Sequence, residues 1–254
     1  MCRFKSGIIL KNRCVIAQEN DSHSNLLEGL AIEDSQENAM RRFVRAELLP
    51  PNNEWWREPD ELWKFNVDQD ILPDWFTEDS GKYEADFREA VKEWWKEHII
   101  VDKKIDELSS GYYRLKRCEV KKLLKDVQVM CDSSTVQEMY GSSTVQEMYG
   151  SSTVQEMYGS STVQRMYDSS TVQRMYDSST VQVMCGSSTV QEMYGSSTVQ
   201  RMYGSSTVQE MYGSSTVQRM YDSSIARNYY KGTIEISIEC NLKVNIHKNK
   251  DNKS

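Results

Sequence analysis

The sequence is poor in hydrophobic residues and contains no long hydrophobic run. Hydrophobic residues make up 38% of the 254 residues, and the mean hydropathy is −0.68, which is low for a compact globular chain. No segment approaches the ~20 apolar residues of a membrane-spanning helix, and the apolar run at residues 7–10 is too short for a signal peptide. We therefore expect neither a membrane span nor a secretory leader.

Cysteine is scarce and is not spaced for pairing or for metal binding. The six cysteines show no CxxC spacing and no adjacent histidine. A disulfide scaffold spaces its cysteines closely in a short secreted chain, so reduced thiols in a cytoplasmic protein fit this pattern better. The formal net charge is −7 and no segment is strongly basic, which argues against nucleic acid as a direct ligand.

Motifs for catalysis are absent as well. The chain contains no GxSxG, P-loop or GxGxxG sequence. Asp68, Asp70 and Asp74 form the densest acidic group, but no Gly-containing EF-hand loop accompanies them, so they are interpreted as turn and cap carboxylates. His23 and His98 lack metal-ligand spacing. We predict no enzyme activity, no cofactor and no metal.

The residues that are present are unevenly placed, which indicates two different regions. All six Trp lie between Trp55 and Trp95, whereas ten of the thirteen Met lie within residues 132–221. The Trp pairs at 55–56 and 94–95 are interpreted as core rather than as an aromatic binding platform. The predicted domains are a small α+β capping or locating domain (1–117), a β-solenoid (118–225) and a C-terminal β cap with a lysine-rich tail (226–254).

Residues 132–221 are ten consecutive nonapeptides, [DG]-S-S-T-V-Q-x-M-[YC], without insertions. A fixed short period of this kind is typical of a solenoid with decayed terminal units. Ser-Ser, Thr-Val and Gly or Asp resist helix formation and favour a short strand followed by a turn. Val and Met are expected to point inward, and the Gly or Asp is expected at the corner with positive φ. Two repeats per coil is the preferred winding, with three as the alternative; a disordered repeat region is the opposing hypothesis.

Elements of the other regions follow from apolar periodicity. Asp79 to about His98 is predicted as a helix, with Tyr83, Phe87 and Trp94 on its apolar face. A turn is predicted at Leu72-Pro73-Asp74, and Ser22 or Ser24 is expected to cap a helix. Predicted strands are Phe4–Leu10 and Arg13–Ala17 as a hairpin, Phe43–Leu49, Trp63–Val67, Tyr112–Val120, and C-terminal capping strands through Ile234, Ile236, Ile238, Leu242, Val244 and Ile246.

The repeats present the candidate partner surface. One repeat position varies freely, and taking alternate repeats gives one row of four Glu and one Arg (net −3) and one row of a Glu, a Val and three Arg (net +2). Tyr closes most repeats and is expected to stack in half-buried columns. Cys131 and Cys185 occupy this Tyr position three coils apart, beyond disulfide reach. The predicted surface residues are Glu138, Glu147, Glu156, Arg165, Arg174, Glu192, Arg201, Glu210, Arg219, Tyr140, Tyr149, Tyr158, Tyr167, Tyr176, Tyr194, Tyr203, Tyr212 and Tyr221.

The segment FNVDQDILPDWF (Phe65–Phe76), with the Trp-rich helix after it, resembles uncharacterised bacterial and phage tandem-repeat proteins. Those proteins join a similar N-terminal domain to short repeats of the SS-x-V type, so the resemblance implies a β-solenoid and carries no catalytic residues. The repeats are also similar to nonapeptide β-rolls and pentapeptide-repeat proteins. They lack the paired glycines and the regular Asp of calcium-binding β-rolls, so calcium is not implied.

The leading functional hypothesis is a non-enzymatic interaction or structural protein, which binds a protein partner or a second copy of itself through the repeat surface. A DNA mimic that modulates a nucleic-acid enzyme is the alternative, and it requires the aligned acidic positions. Ice binding through ranked Thr is a lesser alternative, because the outward pair is Thr and Gln. An enzyme in the N-terminal domain would be recognised by turnover of a substrate.

Overall fold

The computed structural model describes residues 5–18, 21–109, 113–228, 233–234 and 245–246. The chain divides into two compact units, residues 1–99 and 100–254, which are described separately. Several residues of the predicted strands lie outside the described residues, namely Phe4, Tyr112, Ile236, Ile238, Leu242 and Val244.

The first unit is an α+β structure built on a four-stranded antiparallel sheet. The strand order is β2-β1-β3-β4, and β1 pairs with β2 as the predicted hairpin. Pro73 precedes a short helix rather than an open turn, since its extended backbone leads directly into α3. The elements are β1 (Lys5–Leu10), β2 (Arg13–Ile16), α1 (His23–Gly29), α2 (Gln36–Ala39), β3 (Phe43–Leu49), a 3-10 turn (Pro51–Asn53), β4 (Lys64–Val67), α3 (Asp74–Glu78) and α4 (Ser80–His98).

The core of this unit is aromatic and conventional. The predicted long helix is confirmed as α4, and its residues Tyr83, Phe87, Val91 and Trp94 are buried. A Cβ on Gly7 would lie 2.7 Å from the Phe87 ring, so β1 and α4 approach closely only because residue 7 has no side chain. Of the Trp pairs predicted as core, Trp55 and Trp94 are buried, whereas Trp56 and Trp95 are half-buried. Ser22 caps α1 by accepting a hydrogen bond from the Asn25 amide.

The second unit is the predicted β-solenoid, formed by two nine-stranded parallel sheets. The acidic sheet has the order β22-β20-β18-β16-β14-β12-β10-β8-β6, and the basic sheet has the order β21-β19-β17-β15-β13-β11-β9-β7-β5; the names refer to the charges described below. The strands are β5 (Ile99–Val101), β6 (Lys104–Leu108), β7 (Tyr113–Lys116), β8 (Glu119–Leu123), β9 (Val127–Cys131), β10 (Thr135–Met139), β11 (Thr144–Met148), β12 (Thr153–Met157), β13 (Thr162–Met166), β14 (Thr171–Met175), β15 (Thr180–Met184), β16 (Thr189–Met193), β17 (Thr198–Met202), β18 (Thr207–Met211), β19 (Thr216–Met220), β20 (Ile225–Asn228), β21 (Thr233–Ile234) and β22 (Asn245–Ile246).

Strand pairing confirms two repeats per coil. Val136 pairs with Val154 on the acidic sheet, and Val145 pairs with Val163 on the basic sheet. Each strand of the repeats therefore pairs with the strand eighteen residues later, and the three-repeat alternative is wrong. The two short C-terminal strands extend the sheets, because β21 pairs with β19 and β22 pairs with β20.

The repeat sequence explains the coil. The Val and Met of all ten repeats are buried, together with the second Ser. At each corner the amide of that Ser donates to the carbonyl of the residue three positions earlier, as from Ser161 to Tyr158 (3.3 Å). The residue after the Tyr or Cys position has φ between 55° and 67° in all ten repeats, as predicted for a corner with positive φ.

The solenoid sheets begin before the repeats are recognisable. Residues 99–117, which the sequence assigned to the N-terminal domain, contribute β5, β6 and β7 to these sheets. Ile105 and Val120 pair in line with the repeat Val136, and Leu108 and Leu123 pair in line with Met139. The inward apolar spacing persists there without Ser-Ser-Thr around it, so only strand pairing reveals these coils.

Candidate interaction surface

The variable repeat position forms one charged row on each sheet. On the acidic sheet, β10, β12, β14, β16 and β18 align four Glu and one Arg in register, net −3. On the basic sheet, β11, β13, β15, β17 and β19 align one Glu, one Val and three Arg, net +2. The acidic row is Glu138, Glu156, Arg174, Glu192 and Glu210, and the basic row is Glu147, Arg165, Val183, Arg201 and Arg219.

Ion pairs form along the rows where opposite charges meet. Arg174 lies 2.7 Å from Glu156 on the acidic sheet, and Arg165 lies 3.3 Å from Glu147 on the basic sheet. Both arginines are close to half exposed, so water and salt weaken these pairs. The net charge of each row remains available to a partner.

Tyrosines stack in two columns, as predicted. The first column is continuous, with ring centroids 5.0–5.3 Å apart and nearly parallel planes. The second contains two stacked pairs, at 4.8 Å and 4.7 Å, separated by the repeat in which Cys185 replaces Tyr. The first column is Tyr140, Tyr158, Tyr176, Tyr194 and Tyr212, and the second contains Tyr149, Tyr167, Tyr203 and Tyr221.

Each glutamate of the rows is tied to the tyrosine two residues later. The Tyr140 hydroxyl donates to Glu138 at 2.6 Å, and Tyr149 donates to Glu147 at 2.8 Å. Tyr212 bonds Glu210 in the same way. The carboxylate favours the protonated phenol, so the bond to Glu138 raises the pKa of Tyr140, and the bond to Glu210 raises the pKa of Tyr212 to about 12. Where the row residue is Glu, the row and the adjacent Tyr column are therefore joined by a hydrogen bond.

Aspartate at a corner provides a contact that glycine cannot. The Asp168 carboxylate accepts a hydrogen bond from the Gly150 amide at 2.9 Å, and Asp222 accepts one from Gly204 at 2.9 Å. Each bond joins corners of successive coils, eighteen residues apart. The bond offsets part of the strain that a residue other than glycine has at positive φ.

Two rows of buried serine hydroxyls lie inside the corners. Ser134 and Ser224, near the two ends of the repeats, donate to the carbonyls of Cys131 and Tyr221 at 2.9 Å and 2.7 Å. Nine hydroxyls between them, Ser143 to Ser215, are buried without a hydrogen-bond partner. The interior of the solenoid is therefore small and partly polar.

Cys131 and Cys185 lie in the second Tyr column, with Tyr149 and Tyr167 in the two coils between them. No disulfide joins the cysteines of the described residues.

In the first unit, Asp74 begins α3, whereas Asp68 follows β4 and lies 3.3 Å from His23. Sequence spacing did not predict that last contact, because the two residues come from separate segments.

Comparison with protein-family models, curated proteins and solved structures gives no match. The resemblance to tandem-repeat proteins therefore stays a prediction. Among the described helices, none combines the length and the apolar character needed to cross a bilayer.

Proposed function

We propose that the repeat region is a non-enzymatic interaction or structural element whose charged rows and Tyr columns bind protein. The observation that carries this proposal is the opposite net charge of the two rows, −3 and +2, which share one coil spacing. Parallel strands repeat every ~4.8 Å, so an acidic row of one copy matches a basic row of another, coil for coil. A second copy of this chain is therefore the first partner that we propose.

Such pairing joins different faces of the two copies, so it is heterologous and continues into chains of molecules.

The alternative functions fit the surface less well. Arg174 interrupts the acidic row and pairs with Glu156, which weakens a DNA mimic. The outward residues of each strand include only one Thr beside Gln, which does not provide the two Thr ranks of an ice-binding face. A reducing cytoplasmic environment is part of this proposal and agrees with the free thiols of Cys14 and Cys185.

Analytical ultracentrifugation of the full chain tests the proposal. We expect association at about 0.01 M salt, where the Debye length is roughly 30 Å, and its loss at about 1 M, where it is roughly 3 Å. One variant removes the glutamates of the acidic row and leaves it at net +1, because Arg174 remains; the other removes the arginines of the basic row and leaves it at net −1, because Glu147 remains. In each variant the two rows then carry charge of the same sign, so each alone should be monomeric. These are Glu138, Glu156, Glu192 and Glu210→Gln, and Arg165, Arg201 and Arg219→Gln.

Mixing the two variants distinguishes paired rows from general stickiness. Each variant keeps one intact row, so the mixture should form one-to-one complexes. It should not form chains of more than two molecules. Substitution of Thr153, Thr171, Thr189 and Thr207→Ser, on the acidic sheet, leaves the charge unchanged and should associate like the wild type. A wild-type chain that stays monomeric at low salt contradicts self-association. A second experiment compares the proteins captured by immobilised wild type with those captured by the charge variants. If the wild type is also monomeric and every protein it captures is captured equally by the variants, the interaction function itself is wrong.

A further inference from the structure

Three residues from separate segments of the first unit converge on one point. They are His23, the first residue of α1; Glu47, in β3; and Asp68, which follows β4. One nitrogen or oxygen of each side chain lies within 4.8 Å of the others. The His23 side chain is only 9% exposed, whereas Asp68 is 58% exposed, so the cluster has a buried base and an open side.

The hydrogen bonds of His23 fix which ring nitrogen carries the proton. Nε2 lies 3.2 Å from the carbonyl oxygen of Ala46, and a carbonyl can only accept, so Nε2 is the N–H donor. In the neutral ring Nδ1 then presents a lone pair, and it lies 3.3 Å from Oδ2 of Asp68. Two acceptors therefore face each other here unless a proton or a metal ion lies between them.

The spacing fits a metal ion better than a proton. A charge-assisted N–H···O bond is about 2.7–2.9 Å long, shorter than the 3.3 Å between Nδ1 and Asp68. Two ligand atoms bound tetrahedrally to zinc at about 2.0–2.1 Å lie roughly 3.3 Å apart. Donation from the second histidine nitrogen to a backbone carbonyl is also the usual outer support of a metal-bound histidine.

The neighbouring residues support the same assignment. Asn66 Nδ2 donates to Glu47 Oε2 at 3.2 Å and lies opposite Glu47 in the β3–β4 pairing, which orients the carboxylate. The Asp68 amide donates to the Arg45 carbonyl at 2.9 Å, which fixes the chain there. The Arg45 guanidinium forms an ion pair with Asp34, so an acidic partner offsets its charge near the cluster.

We propose that His23 Nδ1 and one carboxylate oxygen each from Glu47 and Asp68 bind a divalent transition metal, with zinc as the preferred ion. Two carboxylates balance a divalent charge, and the imidazole nitrogen favours zinc over magnesium or calcium. The exposed side at Asp68 leaves a coordination position for water or an exogenous ligand. This site is independent of the repeat surface.

Isothermal titration of metal-free full-length protein with Zn²⁺ tests the proposal. We expect one equivalent to bind, and binding to be lost in His23→Gln and in Asp68→Asn. The conservative Asp68→Asn change is at a largely exposed side chain, so this variant should fold, as circular dichroism would verify. The outer-support variant Asn66→Ala should bind about 10–100-fold more weakly. Asp70→Asn and His98→Gln, outside the cluster, are matched controls that should bind like the wild type.

Cobalt substitution identifies the ligand atoms and excludes binding at the cysteines. The Co²⁺ form should show visible d–d absorption without the ultraviolet thiolate-to-cobalt charge-transfer band, and His23→Gln should abolish it. A strong charge-transfer band, wild-type protein that binds no Zn²⁺, or an Asp68→Asn variant with unchanged affinity would each overturn the proposal. The last two outcomes would leave His23 and Asp68 as an ordinary ion pair.

Discussion

The two units of this chain achieve burial in opposite ways. The first unit packs large, different side chains once, as where Phe87 of α4 meets Phe65 of β4 with ring centroids 5.7 Å apart. The second buries the same Val, Met and Ser in all ten repeats, so each of these side chains lies in line with its equivalent in the coil before or after. The comparison teaches that stability in the first unit depends on unique partners, whereas in the second it depends on position along a row.

The largest expected loss of stability comes from a substitution that disrupts the unique packing of the first unit. Phe87→Ala should destabilise it by about 3–5 kcal/mol, because the fully buried ring leaves a cavity under the sheet. Urea unfolding followed by Trp fluorescence measures this, since all six Trp lie in this unit. Leu62→Ala, at a side chain 65% exposed, should change the unfolding free energy by less than about 0.5 kcal/mol.

The next prediction asks whether position along the row matters in the solenoid. Met175→Ala should cost about 2–5 kcal/mol, because β14 lies between two complete strands, β12 and β16. Met211→Ala should cost less, since the register of β18 against β20 shifts between Val208 and Met211. Urea unfolding followed by circular dichroism compares the two. Equal costs would contradict additive coil-to-coil contacts.

A pair of corner variants separates backbone strain from coil contact. Gly141→Ala should cost about 1–2 kcal/mol, because φ is 63° but a Cβ there meets nothing within 4 Å. Gly159→Ala should cost roughly 1 kcal/mol more, because its Cβ would lie 3.0 Å from the Gly141 carbonyl oxygen. Thermal unfolding of both variants gives the difference. If Gly141→Ala lowers the stability as much as Gly159→Ala does, contact with the preceding coil does not contribute to the cost at Gly159.

Serine variants test whether the polar interior contributes to stability. Ser134 donates to the Cys131 carbonyl and accepts from the Cys118 amide at 3.3 Å, so Ser134→Ala should cost about 1–3 kcal/mol. Ser170→Ala removes a buried hydroxyl without a hydrogen-bond partner and should be neutral or slightly stabilising. Denaturant midpoints measure both. A large loss at Ser170 would show that its hydroxyl is bonded.

The smallest expected effect is the dependence of stability on the pKa of Tyr212. The hydrogen bond to Glu210 raises the Tyr212 pKa to about 12, so the folded solenoid favours the protonated phenol. The stabilisation is complete below the unfolded pKa of about 10 and is lost as pH rises through about 12. Glu210→Gln should lower the Tyr212 pKa in a ring-carbon NMR titration. Glu138→Gln is the control and should leave the Tyr212 signal unchanged.

Much of the fold could be predicted because its signals are local. The helix α4 has an apolar face of helical period, and the repeats have an unbroken nine-residue period. The short helices α2 and α3 were missed, although Ser35, whose side chain caps Asn38, is a signal that could have indicated α2. The first coils were missed because only their inward residues follow the pattern.

The candidate sites also differ in whether local sequence signals could predict them. The charged rows and Tyr columns could be predicted from a winding of eighteen residues, since a regular coil turns sequence period directly into spatial neighbours. The cluster of His23, Glu47 and Asp68 could not, because antiparallel pairing of β3 with β4 and the placement of α1 bring together residues far apart in the chain.

The sequence by itself determined the scarcity of apolar residues, the corner glycines, the inward Val and Met, and the alternation of charge. These are consequences of backbone preference and of a fixed period, so they need no distant contact. Tertiary structure alone decided where the solenoid begins, which arginines pair with which glutamates, and which carboxylates meet His23. Those outcomes depend on distances of a few ångströms between segments, and such distances are set only when the sheets are paired.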